Sequence, residues 1–236
     1  RLWEIINILR RHNLLAGLTP DKLRAVVEDL GPTFVKLGQM LSMRPDVLPI
    51  AYCDALQRLR SDVTPMPLDA VYRVVEHALG KPVADVFPTF DPQPLGSASI
   101  AQVHRATLAD GSRVVVKVQR EGVYEKMASD IQLLRKASRL LRLTPTGEMV
   151  DFRMVLDELW AVSQQEMNFI NEADNVETFL RCNAGIRYIG FPRVYREVSA
   201  REVMVMEAIE GSSIDDLPAL RAAGYDPSEI SRKLCL

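Results

Sequence analysis

The chain has 236 residues, 47% of them hydrophobic, 25% charged and only 6% aromatic, with 29 basic and 31 acidic side chains leaving a formal net charge of -2. That composition excludes disorder and collagen-like structure, and the length suffices for one or two domains with a real core. The near-neutral balance, without a long basic run, supplies no general field for nucleic acid or an anionic membrane.

From the N-terminus, Leu2, Ile5, Ile6 and Leu9 form an amphipathic helical run. Thr19 and Pro20 supply a cap and a first-turn residue, Leu23, Val26, Val27 and Leu30 recur on one face, and Gly31-Pro32 closes this helix. The next helix is predicted through Phe34, Leu37 and Leu41 to about Met43, because Arg44 precedes Pro45 and is pushed away from helical angles. Pro49 opens another through Leu56 and Leu59; after a break at Thr64-Pro65-Met66-Pro67, one more runs from Leu68 to Leu79 and stops at Gly80. At Lys81 the pattern changes, since Pro82, Pro88, Pro92 and Pro94 argue against helix, and a domain boundary is placed there. Ile100 to Thr107 and Arg113 to Gln119 are predicted as antiparallel strands around an Asp110-Gly111 turn. Two helical stretches follow, Val123 to Leu143 and Phe152 to Arg181, split by Thr144-Pro145-Thr146-Gly147, and then strands from Arg193 to Val198 and from Glu202 to Ala208. A last helix opens at Pro227 and Ser228 with no stop signal before Leu236; as Arg1 is no initiator Met, the sequence reads as a piece of a longer protein.

Gly96-Ser97-Ala98-Ser99-Ile100-Ala101 has the spacing of a G-x-G-x-x-G phosphate loop with Ala in place of the second and third glycines. Such loops work because backbone N–H groups approach phosphate oxygens where no side chain intervenes. Ala keeps much of that access but tolerates positive φ poorly, which predicts a stiffer loop. By itself the segment also reads as a small-residue turn before a strand. Strand periodicity puts Val114, Val116 and Val118 on one face and Val115 and Lys117 on the other. In kinases a Lys on the strand after the phosphate loop and its hairpin holds the α- and β-phosphates and pairs with a helix Glu. Alone, Lys117 would be a solvated strand residue. Glu166 sits on the stripe of Leu159, Val162, Phe169, Ile170 and Ala173, and Glu172 lies ~120° further around the same predicted helix, so the two can serve different cations. An inward carboxylate needs such a partner, because burying an unpaired charge is costly. Lys36 is a second available cation, an i, i+3 neighbour of Gln39, although locally it also reads as a surface Lys. Between them Gly38 costs about 1 kcal/mol in a helix interior unless close packing needs it.

Taken together, these residues resemble the UbiB (ADCK) family of atypical protein-kinase-like proteins. The resemblance runs from about Leu30 to Leu217. It is carried by Phe34-Val35-Lys36-Leu37-Gly38-Gln39 with Arg44-Pro45-Asp46, and by Pro94-Leu95-Gly96-Ser97-Ala98-Ser99-Ile100-Ala101-Gln102-Val103-His104. Further matches are Val116-Lys117-Val118-Gln119-Arg120, Glu166-Met167-Asn168-Phe169 with Glu172-Ala173, and Met206-Glu207 with Glu210-Gly211. It implies an α+β fold, a protein-kinase-like N-lobe of antiparallel sheet plus helices. An N-terminal helical extension would lay its K-x-G-Q motif over the cleft where a protein substrate would otherwise bind. Residues 1–80 would be that extension, 81–211 the N-lobe and hinge, and 212–236 the start of a C-lobe missing from this sequence. By the same resemblance Lys36, with Gln39 in its motif, pairs with Glu166, and Lys117 holds ATP phosphates and pairs with Glu172. Leu95, Gly96, Ser97, Ala98, Ser99, Ile100, Ala101, Gln102 and Val103 cover the nucleotide, and Met206, Glu207 and Ala208 form the adenine-binding hinge. The implied cofactors are ATP and Mg2+, and the implied activity is that of an ATPase or small-molecule kinase in ubiquinone or related isoprenoid-lipid metabolism.

Asn168 departs from the family's E-x-D motif, which has Asp there; Asn keeps an acceptor oxygen without the charge. On a regular helix residues 166 and 168 also stand ~200° apart and do not aim at one ion. After its hinge a kinase needs an Asp to orient the nucleophile, and an Asn and a D-F-G-type Asp for metal. Here His12, His77 and His104 all precede Glu207, and no H-x-D or D-F-G follows it. No catalytic residue is therefore assigned, the isolated chain is expected to be inactive, and Asp215 and Asp216 read as helix-start residues. Two rival readings stay open: a non-catalytic module in which nucleotide changes how the extension meets a lipid or partner enzyme, and a small-molecule kinase unrelated to quinones, such as an antibiotic phosphotransferase. Isoprenoid lipid or quinone-biosynthesis enzymes are the expected partners, and nucleic acid is not. Cys53, Cys182 and Cys235 are scattered outside any C-x-x-C arrangement, and no window approaches the roughly 20 apolar residues of a membrane span. A cytoplasmic, reducing setting is expected, with membrane contact only through surface association or through sequence beyond Leu236.

Overall fold

A computed structural model of the chain describes residues 1–13, 17–59, 64–141 and 152–234. The first part contains α1 (Leu2–Arg11), α2 (Pro20–Leu30), α3 (Pro32–Ser42) and α4 (Ile50–Gln57). Thr19 caps α2, its hydroxyl accepting from the Lys22 N–H at 3.3 Å. Gly31, at φ 94, takes the left-handed turn from α2 into α3, where Pro32 occupies the first helical position. The apolar faces of these helices meet in a core of Val27, Val35, Leu56 and Leu59. Gly38 lies at that contact: a Cβ there would stand 2.7 Å from Leu59 Cδ1 and 3.1 Å from Val27 Cγ1. Close packing, the one condition under which a mid-helix glycine is retained, is met.

On its other side α3 packs Leu37 and Met40 against Ile131, Leu156 and Leu159 of α7 (Val123–Leu141) and α8 (Phe152–Glu166). A buried polar clamp supports this seat. The fully buried Asp130 receives the Arg1 guanidinium at 2.5 and 2.8 Å and the Thr33 hydroxyl at 2.7 Å, so its charge is paired where it is removed from water.

α5 (Leu68–Leu79) ends at Gly80, whose φ of 67 is the left-handed cap expected of glycine. The four-residue α6 (Val83–Val86) starts directly after Pro82, where a proline removes no intrahelical hydrogen bond. Four antiparallel strands follow in the order β1 (Thr89–Ser97), β2 (Ala101–Thr107), β3 (Arg113–Gln119) and β4 (Val203–Glu207). β1 tolerates Pro92 and Pro94 because it is an edge strand whose register with β2 shifts on both sides of Pro94. One face of the sheet, with Ala106, Val114, Val116, Val118, Val203 and Val205, is buried under Val71 and Val75 of α5 and Phe87. α5, counted with the extension on sequence grounds, thus shares the sheet's core. The opposite face is only partly covered, by Phe169 and Ala173 of α9 (Phe169–Cys182) against Ala101 and Met204. Val103, Val115 and Lys117 on that face remain accessible, which leaves a cleft.

The class is α+β as expected, but three elements differ from the sequence-based expectation, the first being α6, a short helix in the proline-rich stretch after Lys81 where none is predicted. The helix predicted from Phe152 to Arg181 is two helices, α8 and α9, broken at Met167-Asn168. Asn168 is the N-cap of α9: its Oδ1 accepts from the Ile170 N–H at 3.2 Å, and the Phe169 N–H is taken by the Arg201 carbonyl at 3.0 Å. The strand predicted from Arg193 to Val198 is a loop with one bridge, Val194 to Met206, and a 3-10 turn over Arg196–Val198. Ser199 replaces the ladder there, its hydroxyl donating to the Tyr195 carbonyl at 2.7 Å and accepting from the Val205 N–H at 3.0 Å. α10 (Leu217–Ala222) is capped by Asp216, which accepts from the Ala219 N–H at 3.0 Å, and α11 (Pro227–Leu234) follows. The Thr144 to Gly147 break and Cys235 lie outside the described residues. Among the described residues no helix is long and apolar enough to cross a membrane.

Candidate functional site

Lys117 on β3 stands opposite Val103 of β2 and Met204 of β4, on the open face. Its ammonium donates to both Glu172 oxygens, at 2.8 and 2.5 Å, and lies 4.8 Å from the centre of the Phe169 ring. Glu172 is in the first turn of α9, where the helix dipole favours a carboxylate. Both side chains keep solvent contact, 24% and 40% exposed, so a ligand can reach the cation.

Lys36 of α3 pairs with Glu166, the last residue of α8. The break at 167–168 therefore separates the two carboxylates: one closes a helix and the other opens the next. That replaces the 120° rotation around a continuous helix as the reason they meet different cations. Gln39 lies half-buried one turn along α3 from Lys36. Glu166, Glu172 and Asp174 line an open recess of about 580 Å3, and Asp174 is paired with Arg196. Asn168 accepts at its oxygen for the α9 cap and donates its amide to Asn171 Oδ1 at 3.3 Å, so it serves as the capping residue of α9. Among the described residues no group of three His, Cys, Asp or Glu side chains could hold a metal by protein ligands alone; a Mg2+ carried by a nucleotide takes most of its ligands from phosphate oxygens and water and needs only one or two carboxylates.

Gly96 and Ser97 close β1, and residues 98–100 form the turn into β2. A Cβ on Gly96 would meet nothing within 4 Å, which leaves the backbone open to a ligand on that side. The Ala98 N–H, however, donates to the Ala101 carbonyl at 2.8 Å, so this loop amide is directed inward. Ile100 packs against Val123, Met127 and Met167, and Ala101 is buried beneath α9. Gln102 does not face the cleft. It is 1% exposed on the α5 side of the sheet, where its Oε1 accepts from the Met66 N–H at 2.6 Å and the Ser97 hydroxyl at 3.3 Å. Its amide meets His104 Nε2 at 2.9 Å, and His104 Nδ1 meets the Asp91 carbonyl at 2.8 Å. A carbonyl only accepts, so Nδ1 carries the hydrogen and Nε2 accepts from Gln102; burial lowers the His104 pKa and keeps the ring neutral. The period-two rule that sorts β3 sorts β2 equally well, and it assigns Gln102, His104 and Ala106 to the core.

Leu95, Arg105, Val115 and Ala208 line a second recess, of about 750 Å3, at the edge of the open face. Met206 pairs across from Val115 and bridges to Val194. The Glu207 N–H donates to the Arg193 carbonyl at 2.8 Å, its carboxylate accepts from the Arg193 N–H at 3.2 Å, and the Ala208 N–H donates to the Arg113 carbonyl at 3.1 Å. This second recess mixes apolar side chains with Asp91, Arg105, Arg113 and Glu210, and it lies between β1 and the segment after β4.

The family model for the ABC1 atypical kinase-like domain matches residues 58–236. An uncharacterized protein in the hydrogenase 1 5' region of Clostridium pasteurianum is 38% identical over 100% of this chain and 46% of its own length. The probable protein kinase UbiB of Cellvibrio japonicus is 39% identical, covering 90% of this chain and 39% of its own. The chloroplastic protein Activity of BC1 Complex Kinase 7 of Arabidopsis thaliana is 35% identical, covering 91% of this chain and 31% of its own. This chain thus spans less than half the length of each of these relatives. The solved structure of Rv3197 from Mycobacterium tuberculosis in complex with erythromycin superposes with a TM-score of 0.56 at 32% identity, over 76% of this chain and 45% of that one.

Proposed function

The chain belongs to the ABC1 atypical kinase-like family and has the fold of a kinase-like N-lobe, and from that premise we propose that it is the ATP-binding part of an atypical kinase or ATPase supporting ubiquinone or related isoprenoid-lipid metabolism. The observation that carries the nucleotide reading is the Lys117–Glu172 pair on the open sheet face, beside a loop of small residues. ATP would bring the transferable phosphoryl group. Leu95, Val103, Val115 and Ala208 would receive its base, and Lys117, held by Glu172, would meet its phosphates. Any metal ligands, and the groups that orient a phosphate acceptor, belong to the rest of the protein. α3, fixed through Leu37 and Met40, holds Lys36 against Glu166, and by family resemblance this closes the face a protein substrate would need. The lipid link is supported by that resemblance and by relatives named UbiB.

In the full-length protein, Ala98→Gly is expected to change Mg-ATP affinity or turnover, since glycine frees the backbone angles that Ala restricts. If calorimetry and steady-state assays both stay within error of the parent, the loop does not contact nucleotide. Mass spectrometry of lipids that copurify with the full-length protein is expected to find prenyl lipids; their absence from preparations that still bind Mg-ATP would favour a small-molecule kinase unrelated to quinones.

A further inference from the structure

Arg120 follows β3 directly and takes part in none of the pairings above. Its own N–H donates to the Ile100 carbonyl at 2.8 Å. Its guanidinium Nε donates to the Ala98 carbonyl at 2.7 Å, and Nη2 donates to the Ser97 hydroxyl at 2.6 Å and to the Thr64 carbonyl at 2.9 Å. One residue thus grips the loop at Ser97, Ala98 and Ile100 and ties it to the segment ahead of α5. The second strand of the same web is Gln102, whose Oε1 joins Ser97 to the Met66 N–H.

We propose that Arg120 is the positioning residue of the phosphate loop, setting the shape of residues 97–100 and making that shape depend on the position of residues 64–67. The proposal rests on the nucleotide reading of the loop. Every acceptor of this guanidinium is uncharged, so its hydrogen bonds fix the backbone while its positive charge stays beside the loop, where an anionic chain would lie. The planar fork is essential, because it reaches two directions at once; an ammonium on a flexible stem would hold one acceptor and release the others. A shift of residues 64–67 removes one partner from Arg120 and one from Gln102, and Ser97 feels both losses.

The test uses the full-length protein and compares the parent, Arg120→Gln, Arg120→Lys and Lys117→Ala. Arg120→Gln is expected to speed amide exchange across residues 95–103 and to weaken Mg-ATP binding about tenfold, as loss of charge-assisted hydrogen bonds does. Arg120→Lys, which keeps the charge, is expected to recover only part of the affinity and little of the protection. Loop exchange equal to the parent's overturns the proposal. So does affinity within twofold of the parent when Lys117→Ala has lost it, and then the nucleotide reading stands alone. A parent that binds no Mg-ATP overturns the nucleotide reading itself, and loop exchange still decides whether Arg120 shapes the loop. Should Arg120→Gln fail to fold, Ser97→Ala removes one acceptor and is expected to produce smaller changes in the same directions; no change there counts against the proposal.

Discussion

Replacing Lys117 with Ala in the full-length protein is expected to weaken Mg-ATP binding by about 10- to 100-fold while leaving the melting temperature within a few degrees of the parent. The two effects differ because the ammonium has two kinds of partner. Its pair with Glu172 is solvent-accessible, 24% and 40% exposed, and accessible ion pairs contribute about 0–1 kcal/mol to stability. Its hydrogen bonds to a bound phosphate would be charge-assisted on both sides, worth about 1.5–3 kcal/mol, which is one to two orders of magnitude in affinity. Ala also gives up the contact with the Phe169 ring, but Phe169 is held in the core by Ala101, Ala173 and Met204 and does not depend on the cation. Calorimetry on parent and variant decides the point. An affinity that does not move would make Lys117–Glu172 a structural pair and remove the strongest support for nucleotide binding.

Much of the fold was legible because its signals are local. Alternation in β3 assigned Val114, Val116 and Val118 to the core and Lys117 to the opposite face, and both assignments hold in the sheet. The helix break at Asn168 was harder, because the apolar stripe from Leu159 to Ala173 continues across it with helical spacing. The overlooked signal was the asparagine itself, an N-cap residue immediately before Phe169. The strand expected from Arg193 to Val198 pairs only around Val194, and beyond it the Ser199 hydroxyl takes the Tyr195 carbonyl and the Val205 N–H. Arg120 left no local signal, since its side-chain acceptors include backbone carbonyls 22 and 56 residues away, and a carbonyl acceptor has no residue-type signature.

Gly38→Val is expected to cost the protein ~3 kcal/mol of stability, the upper end of what overpacking a well-filled core costs. Helix propensity alone gives the opposite sign for Ala, which should gain about 1 kcal/mol over glycine in a helix interior. Packing decides between them. The first added carbon meets Leu59 Cδ1 at 2.7 Å, Val27 Cγ1 at 3.1 Å and Leu56 Cδ2 at 3.3 Å. A single methyl can be admitted if the end of Leu59 swings aside, so Ala should fall between neutral and about 1 kcal/mol destabilising, its propensity gain offset by strain. Valine adds two more carbons where α2 and the Leu56–Leu59 segment already touch, and α3 must then move away from them. It cannot do so freely, because its far side is seated on Ile131, Leu156 and Leu159. Denaturant unfolding of the parent and both variants measures the balance. A stabilising Ala with a neutral Val would mean that helix propensity decides and that close packing does not require the glycine. A tolerated Ala with a damaging Val would mean that it lets three helices approach closely and so holds Lys36 at Glu166.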